Sequence, residues 1–249
     1  MKALITGASS GLGAEFARQL SAKGYDIIAV ARRLDRLEAL ARELPTKVTP
    51  IVCDLSKSEE CFALFEKVKT DNIDLVINNA GFGLLGEFTE TDLSRELEMI
   101  DVNICALHIL MKLFLEKFCR ENKGAILNTC SIGGFMPGPL LATYYASKSY
   151  VRRLTEGVYE EIRRSGKNVY VGCVCPGPVA TEFFDVAKAK FPIKGRKPEN
   201  IVSYTLKKMH RKKLTIIPGL EMKLTALALR LVPTKLAARI IYTLQKQRG

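Results

Sequence analysis

Seven short apolar runs punctuate this chain at intervals that leave room for helices between most of them: KALIT, DIIAVA, VTPIVC, IDLVINN, GAILNTC, VYVGCVC and LTII. Amphipathic periodicity predicts helices over 12–23, 34–44, 57–69, 91–120 and 143–164, and a loop with two short helices before the last run. Runs that are apolar throughout, not alternating, belong to strands covered on both faces, and strands joined by helices pair in parallel. Right-handed crossovers then wind the sheet in two directions and leave a ligand crevice at the carboxyl ends of its strands. The expected fold is α/β, a doubly wound parallel sheet of about seven strands. No linker, repeat or low-complexity tract divides the 249 residues, so 1–249 is read as a single domain, with 219–249 an amphipathic helical extension.

The segment Thr6-Gly7-Ala8-Ser9-Ser10-Gly11-Leu12-Gly13 joins the first strand to the first helix. Its glycines are spaced GxxxGxG, yet the physical task matches that of the general dinucleotide fingerprint: a tight turn, close backbone approach and an anion at a helix N-terminus. Glycines are common in any strand-to-helix turn; the position after the first strand is what selects cofactor binding, with Gly7, Ser9, Ser10, Gly11, Leu12 and Gly13 as the cradle. The second strand ends Ala31-Arg32-Arg33. An acid there would accept from the 2′-hydroxyl of NAD, whereas arginines suit a 2′-phosphate. Paired cations also oppose the dipole of the helix that follows, so Arg32 and Arg33 favour NADP(H).

Tyr144 and Lys148 lie four residues apart on a predicted helix, thirteen and more residues after Ser131. That spacing puts the lysine beside the phenol, where a cation would lower the tyrosine pKa from its ordinary ~10 and make it an acid/base. Tyr145 is also within reach of Lys148 at i+3.

The ordered set TGASSGLG (6–13), Asp54 after the third strand, Asn78-Asn79-Ala80-Gly81, Asn103, Ser131, Tyr144-x-x-x-Lys148 and Pro176-Gly177 with Thr181 resembles the short-chain dehydrogenase/reductase family over about residues 1–217. The resemblance implies a Rossmann-like fold and an NADP(H)-dependent oxidoreductase of the carbonyl or oxoacyl reductase type. It implies that Tyr144 is the proton donor/acceptor, that Ser131 hydrogen-bonds the substrate carbonyl, and that Lys148 lowers the tyrosine pKa and holds the nicotinamide ribose. Asn103 would anchor a proton-relaying water. Asp54, with Leu55 beside it, would contact the adenine; Asn79, Ala80 and Gly81 the adenosine ribose; Pro176, Gly177, Val179 and Thr181 the nicotinamide. On residue type alone Asn103 is equally a satisfied buried amide, and Ser131 a turn residue.

The net charge of +12 is concentrated: from Val186 to Gly249 sixteen Lys and Arg face two acids, a net +14, and the remainder carries −2. Two apolar stripes run through this basic tail, Leu220, Leu224, Leu227 and Leu231, then Leu236, Ile240, Ile241 and Leu244, with Pro233 between. Such stripes are expected as core or subunit contact, while the basic face permits a peripheral membrane surface or an acidic carrier. No recognition motif accompanies the charge, which argues against nucleic acid. The resemblance favours a homodimer through helices 91–120 and 143–164, and the unusual tail argues against the tetramer of many relatives. Seven cysteines without metal or disulfide spacing, strand-like sequence from Lys2 onward and no apolar run near the ~20 residues that span a bilayer predict a cytoplasmic protein with no metal. Phe82, Leu84, Leu85, Phe135, Met136, Leu140, Leu141, Phe183, Phe184 and Phe191 predict an apolar pocket for a small hydrophobic carbonyl or alcohol. A 3-oxoacyl substrate on coenzyme A or a carrier is the alternative; a non-catalytic NADP(H) sensor or scaffold is the contrasting class, and the full Ser131, Tyr144, Lys148 and Asn103 set argues against it.

Overall fold

The computed structural model describes residues 1–183, 195–229 and 231–246. Its strands are β1 Lys2–Thr6, β2 Asp26–Ala31, β3 Val48–Val52, β4 Leu75–Asn78, β5 Gly124–Thr129, β6 Val169–Val174 and β7 Thr215–Ile216. They form one parallel sheet in the order β3-β2-β1-β4-β5-β6-β7. The direction of winding reverses between β1 and β4, and that switch point brings Thr6 and Asn78 to adjacent strand ends. Pro50 is accommodated because β3 is an edge strand, where a missing N–H costs least.

The helices are α1 Gly11–Ser21, α2 Leu34–Glu43, α3 Ser58–Val68, α4 Leu93–Ile100, α5 Leu107–Glu121, α6 Ala142–Ser165, α7 Pro198–His210, α8 Leu220–Ala228 and α9 Thr234–Lys246. Neighbouring strand residues face opposite ways, and the two faces bury separate cores. Leu4 joins Phe65 of α3 and Phe114 and Phe118 of α5 on one side; Ile5 joins Phe16 of α1, Leu37 of α2 and Val202 and Leu206 of α7 on the other.

Three local features differ from expectation. The helix predicted over 91–120 is α4 and α5 joined by a π-helical segment, Asp101–Ala106, which carries Asn103. A π segment inserts extra chain per turn and is frequent at functional sites. The loop read as two short helices contains α7, thirteen residues long; 184–194, with Phe184 and Phe191, lie outside the described residues. The tail forms α8 and α9 as predicted, but of its eight stripe residues only Ile241 is buried. The reason is packing: the inner faces are made of smaller or polar residues, Ala226, Ala237 and Gln245 together with Ile241.

Candidate active site

Thr6, the last residue of β1, ties together the strand ends at the switch point. Its Oγ1 accepts from the main-chain N–H of Asn79 at 2.9 Å and of Ala80 at 3.1 Å, while Asn79 Nδ2 donates to the Thr6 oxygen at 3.1 Å. The glycine turn passes so close to this junction that side chains would collide. A Cβ on Gly7, at φ +66°, would lie 2.9 Å from the Ala80 Cα, and one on Gly13 would lie 2.2 Å from the Gly7 oxygen. Gly11, at φ +55°, faces Thr181. α1 starts directly from the turn, and Ser10 at its N-cap makes no side-chain capping bond. The first N–H groups of α1 are therefore left for an anion. A cradle of main chain at a helix N-terminus fits a phosphate-bearing cofactor.

Arg33 lies across the same turn. Its guanidinium donates to Ser9 Oγ and Ser10 Oγ, each at 3.1 Å, and pairs with Glu182 at 3.2 Å. Arg32 turns instead to Glu98, at 2.9 Å. Asp54 accepts from the Ser56 N–H at 3.1 Å and hydroxyl at 2.8 Å. Partial burial pushes the Asp54 carboxyl up, but the Ser56 bonds with Arg32 and Lys57 nearby hold it below its usual value. Leu12 and Leu55 pack into the two cores.

The residues expected to handle the proton collect at the carboxyl end of β5. Ser131 follows the strand and caps a short 3-10 turn, its Oγ accepting from the Gly133 N–H at 3.1 Å. Lys148, buried on α6, donates from Nζ to the Thr129 oxygen at 3.0 Å and lies 5.8 Å from the Tyr144 ring centroid. Burial holds the lysine below its ordinary pKa, opposed by the Cys130 and Cys175 thiols. Gly81 completes this corner, because a Cβ there would meet Asn103 Oδ1 at 2.8 Å and Lys148 Nζ at 3.2 Å. Asn103 is fully buried. Its Nδ2 donates to the Phe82 oxygen at 2.9 Å and Ser147 Oγ at 3.1 Å, and its Oδ1 accepts from the Phe82 N–H at 3.0 Å. Both amide hydrogens are committed, so the side chain braces Phe82 and Ser147 and donates nothing into the site.

The expectation that Lys148 depresses the Tyr144 pKa is corrected. Tyr144 is held well above the usual tyrosine value: burial is the main cause, a Ser131 side-chain hydrogen bond opposes it, and Tyr145 and Cys130 add to it. The lysine ammonium is directed to a main-chain oxygen. Near neutral pH Tyr144 is accordingly a phenol hydrogen-bonded with Ser131, the state in which it can give up a proton.

Tyr145 faces elsewhere. Its ring packs over Gly133 and Gly138, where a Cβ at Gly138 would reach within 2.1 Å, and its hydroxyl accepts from Gln245 Nε2 of α9 at 3.0 Å. Of the expected pocket residues, Phe183 packs against Tyr144, the rings tilted by 52° with centroids 5.2 Å apart. Phe82 and Phe135 are instead covered by guanidinium groups, Arg95 at 4.2 Å and Arg152 at 3.6 Å from the ring centroids. Pro176 is buried, its oxygen accepting from the Ile132 N–H at 2.8 Å, and Val179 forms a bridge with Arg196. A Cβ on Gly177 would strike Met222 Sδ of α8 at 2.4 Å. Met222, Gln245 and Glu182 were not singled out by sequence reasoning. They reach the site from across the chain, and no local motif marks them.

Comparison with known proteins bears on the family and the fold. A sequence model of the family described as short chain dehydrogenase matches residues 1–190. A very-long-chain 3-oxoacyl-CoA reductase of Pyrenophora tritici-repentis is 32% identical over 219 residues, 84% of this chain, and the match spans 63% of that relative's length. Dehydrogenase/reductase SDR family member 11 of Gallus gallus is 35% identical over 192 residues, 73% of this chain and 75% of the relative. A solved short-chain dehydrogenase from Sphingobium yanoikuyae, in complex with NADPH, has a TM-score of 0.83 at 31% identity and covers 91% of each chain.

Proposed function

The chain belongs to the short chain dehydrogenase family, NAD(P)-dependent oxidoreductases acting on CH–OH groups, and from that premise we propose an NADP(H)-dependent reductase or dehydrogenase for a hydrophobic carbonyl/alcohol pair. The observation that carries this reading is the meeting of a protonated Tyr144 with Ser131, one helical turn from Lys148 and beside the glycine cradle. When bound, the nicotinamide supplies or takes the hydride. Gly7, Gly11, Gly13 and the N-terminus of α1 would hold the pyrophosphate, and Arg33 would hold the 2′-phosphate, joined by Arg32 only if it leaves its pairing with Glu98. Asp54 and Leu55 would border the adenine, Asn79, Ala80 and Gly81 the ribose, and Pro176, Gly177, Val179 and Thr181 the nicotinamide.

Ser131 donates to the substrate oxygen, and Tyr144 releases its proton to the same oxygen as charge develops there. Lys148, whose Nζ donates to the Thr129 oxygen, would also contact the ribose. The name of the Pyrenophora relative favours a 3-oxoacyl thioester as the second reading. The exposed Leu93, Leu97 and Tyr150 support a homodimer through α4, α5 and α6; the seven free cysteines suit a reducing cytoplasm. A panel of ketones, aldehydes and acyl thioesters tests the function by NADPH oxidation. Turnover with tighter NADPH than NADH binding is expected; NADPH binding with no turnover of any class would favour the sensor, and tighter NADH would overturn the cofactor assignment.

A further inference from the structure

Seven of the fifteen large apolar side chains exposed among the described residues lie in the last two helices and the turn between them. Leu220, Leu224, Leu227 and Leu231 are 70%, 58%, 57% and 82% exposed, and Leu236, Ile240 and Leu244 about half. These helices do have inner faces. Met222 and Ala226 of α8, and Ala237, Ile241 and Gln245 of α9, turn toward the domain. On α9 the buried row 237, 241, 245 and the exposed apolar row 236, 240, 244 differ by one residue, a rotation of about 100°. Lys235, Arg239 and Lys246 form a third, exposed row beyond the leucines. The helix therefore presents a buried face, an open apolar face and a cationic flank.

We propose that α8 and α9 form a peripheral docking surface for an anionic phospholipid bilayer. A second copy of the chain would set the cations of α8 and α9, Lys223, Lys235, Arg239 and Lys246, against their own like, and the exposed Glu221 is already paired with Arg196. An acidic carrier protein would use the cations and leave most of the leucines in water. An anionic bilayer uses both, with the apolar rows at the acyl boundary and the lysines and arginines among headgroup phosphates. No helix among the described residues is long and apolar enough to cross a membrane, so the contact is interfacial. Docking itself is independent of the catalytic reading. Its consequence for substrate entry rests on that reading: Met222 lies against Gly177 and Gln245 holds Tyr145 beside Tyr144, so a lipid-dissolved substrate would reach the site past the docked helices.

Co-sedimentation of the full chain with phosphatidylcholine vesicles, with and without phosphatidylserine, tests the proposal. Binding is expected with phosphatidylserine at low salt and should fall at least tenfold near ~1 M salt, where the screening length is ~3 Å. Exchanging the exposed Leu224, Leu227 and Ile240 for Gln should abolish it, as should K235E with R239E, while the melting temperature and NADPH affinity by calorimetry stay unchanged. No sedimentation at low salt, or binding indifferent to both variants, overturns the proposal. So does a wild-type dimer that the Gln variant splits, which assigns the face to a second copy, or capture of acyl carrier protein without vesicle binding. Loss of NADPH binding in the wild type would count against the site reading alone.

Discussion

At the residue scale, two adjacent tyrosines have different surroundings. Tyr144 is hydrogen-bonded with Ser131 and packed against the tilted ring of Phe183, whereas the Tyr145 hydroxyl accepts from Gln245. Tyr144→Phe keeps the ring and removes the proton, so turnover should fall by roughly 10²–10⁴-fold with cofactor affinity retained. Tyr145→Phe should keep turnover within a few-fold; steady-state kinetics on the pair distinguishes them, and the reverse pattern would transfer the acid role to Tyr145. Because the Tyr144 pKa is raised, carbonyl reduction should stay level through neutral pH and decline only in strongly alkaline buffer. Arg33 offers a second residue-scale prediction. Removing its guanidinium from above Ser9 and Ser10 should weaken NADPH binding by about tenfold or more and leave NADH nearly unchanged, given the strength of charge-assisted phosphate contacts. Equal losses for both cofactors in calorimetry would place Arg33 away from the 2′-phosphate.

At the scale of elements, the cradle depends on two main-chain paths that nearly touch. A methyl at Gly13 must push either α1 or the Gly7 peptide aside, since its Cβ would lie 2.2 Å from that oxygen. Gly13→Ala should therefore abolish detectable NADPH binding and lower the melting temperature, whereas Gly157→Ala on α6, with open space around its Cβ, should do neither. The α4–π–α5 helix shows where reading by period stops. Every residue from Asp101 to Ala106 is compatible with a continuous helix, so nothing local announces the extra chain in its turns. It is decided by the partners of Asn103, the Phe82 main chain on one side and Ser147 of α6 on the other. The apolar core is more directly legible. Phe114 packs edge-on against Phe65 at 5.1 Å and beside Phe118 at 6.1 Å, and Phe114→Ala should cost about 3–5 kcal/mol in chemical denaturation.

For the whole molecule, burial raises several neutral groups together: Cys53 to about 11 and Cys61 to about 12, with Tyr144 and Tyr170 above their ordinary values. Between its unfolded and folded pKa each such group holds more proton in the folded state, so stability is full below the unfolded value and falls as pH rises through the folded one. The melting temperature should drop steadily above about pH 8.5, where unfolded thiols begin to ionise; a flat profile to pH 11 would show that these thiols and phenols are not buried in solution. What the sequence determined by itself was whatever is written in local period and spacing. That includes seven runs that pair as parallel strands, a glycine turn ahead of α1, and the separations that join Ser131, Tyr144 and Lys148. What only the tertiary structure decided is direction: Lys148 toward the Thr129 oxygen and not the phenol, Arg33 over the turn while Arg32 departs to Glu98, and the leucine rows of α8 and α9 outward. Periodicity shows that a helix has an apolar side, but which side meets the domain depends on what stands opposite. Here the close quarters beside Gly177 and Tyr145 admit Met222 and Gln245, and the leucines are left facing out.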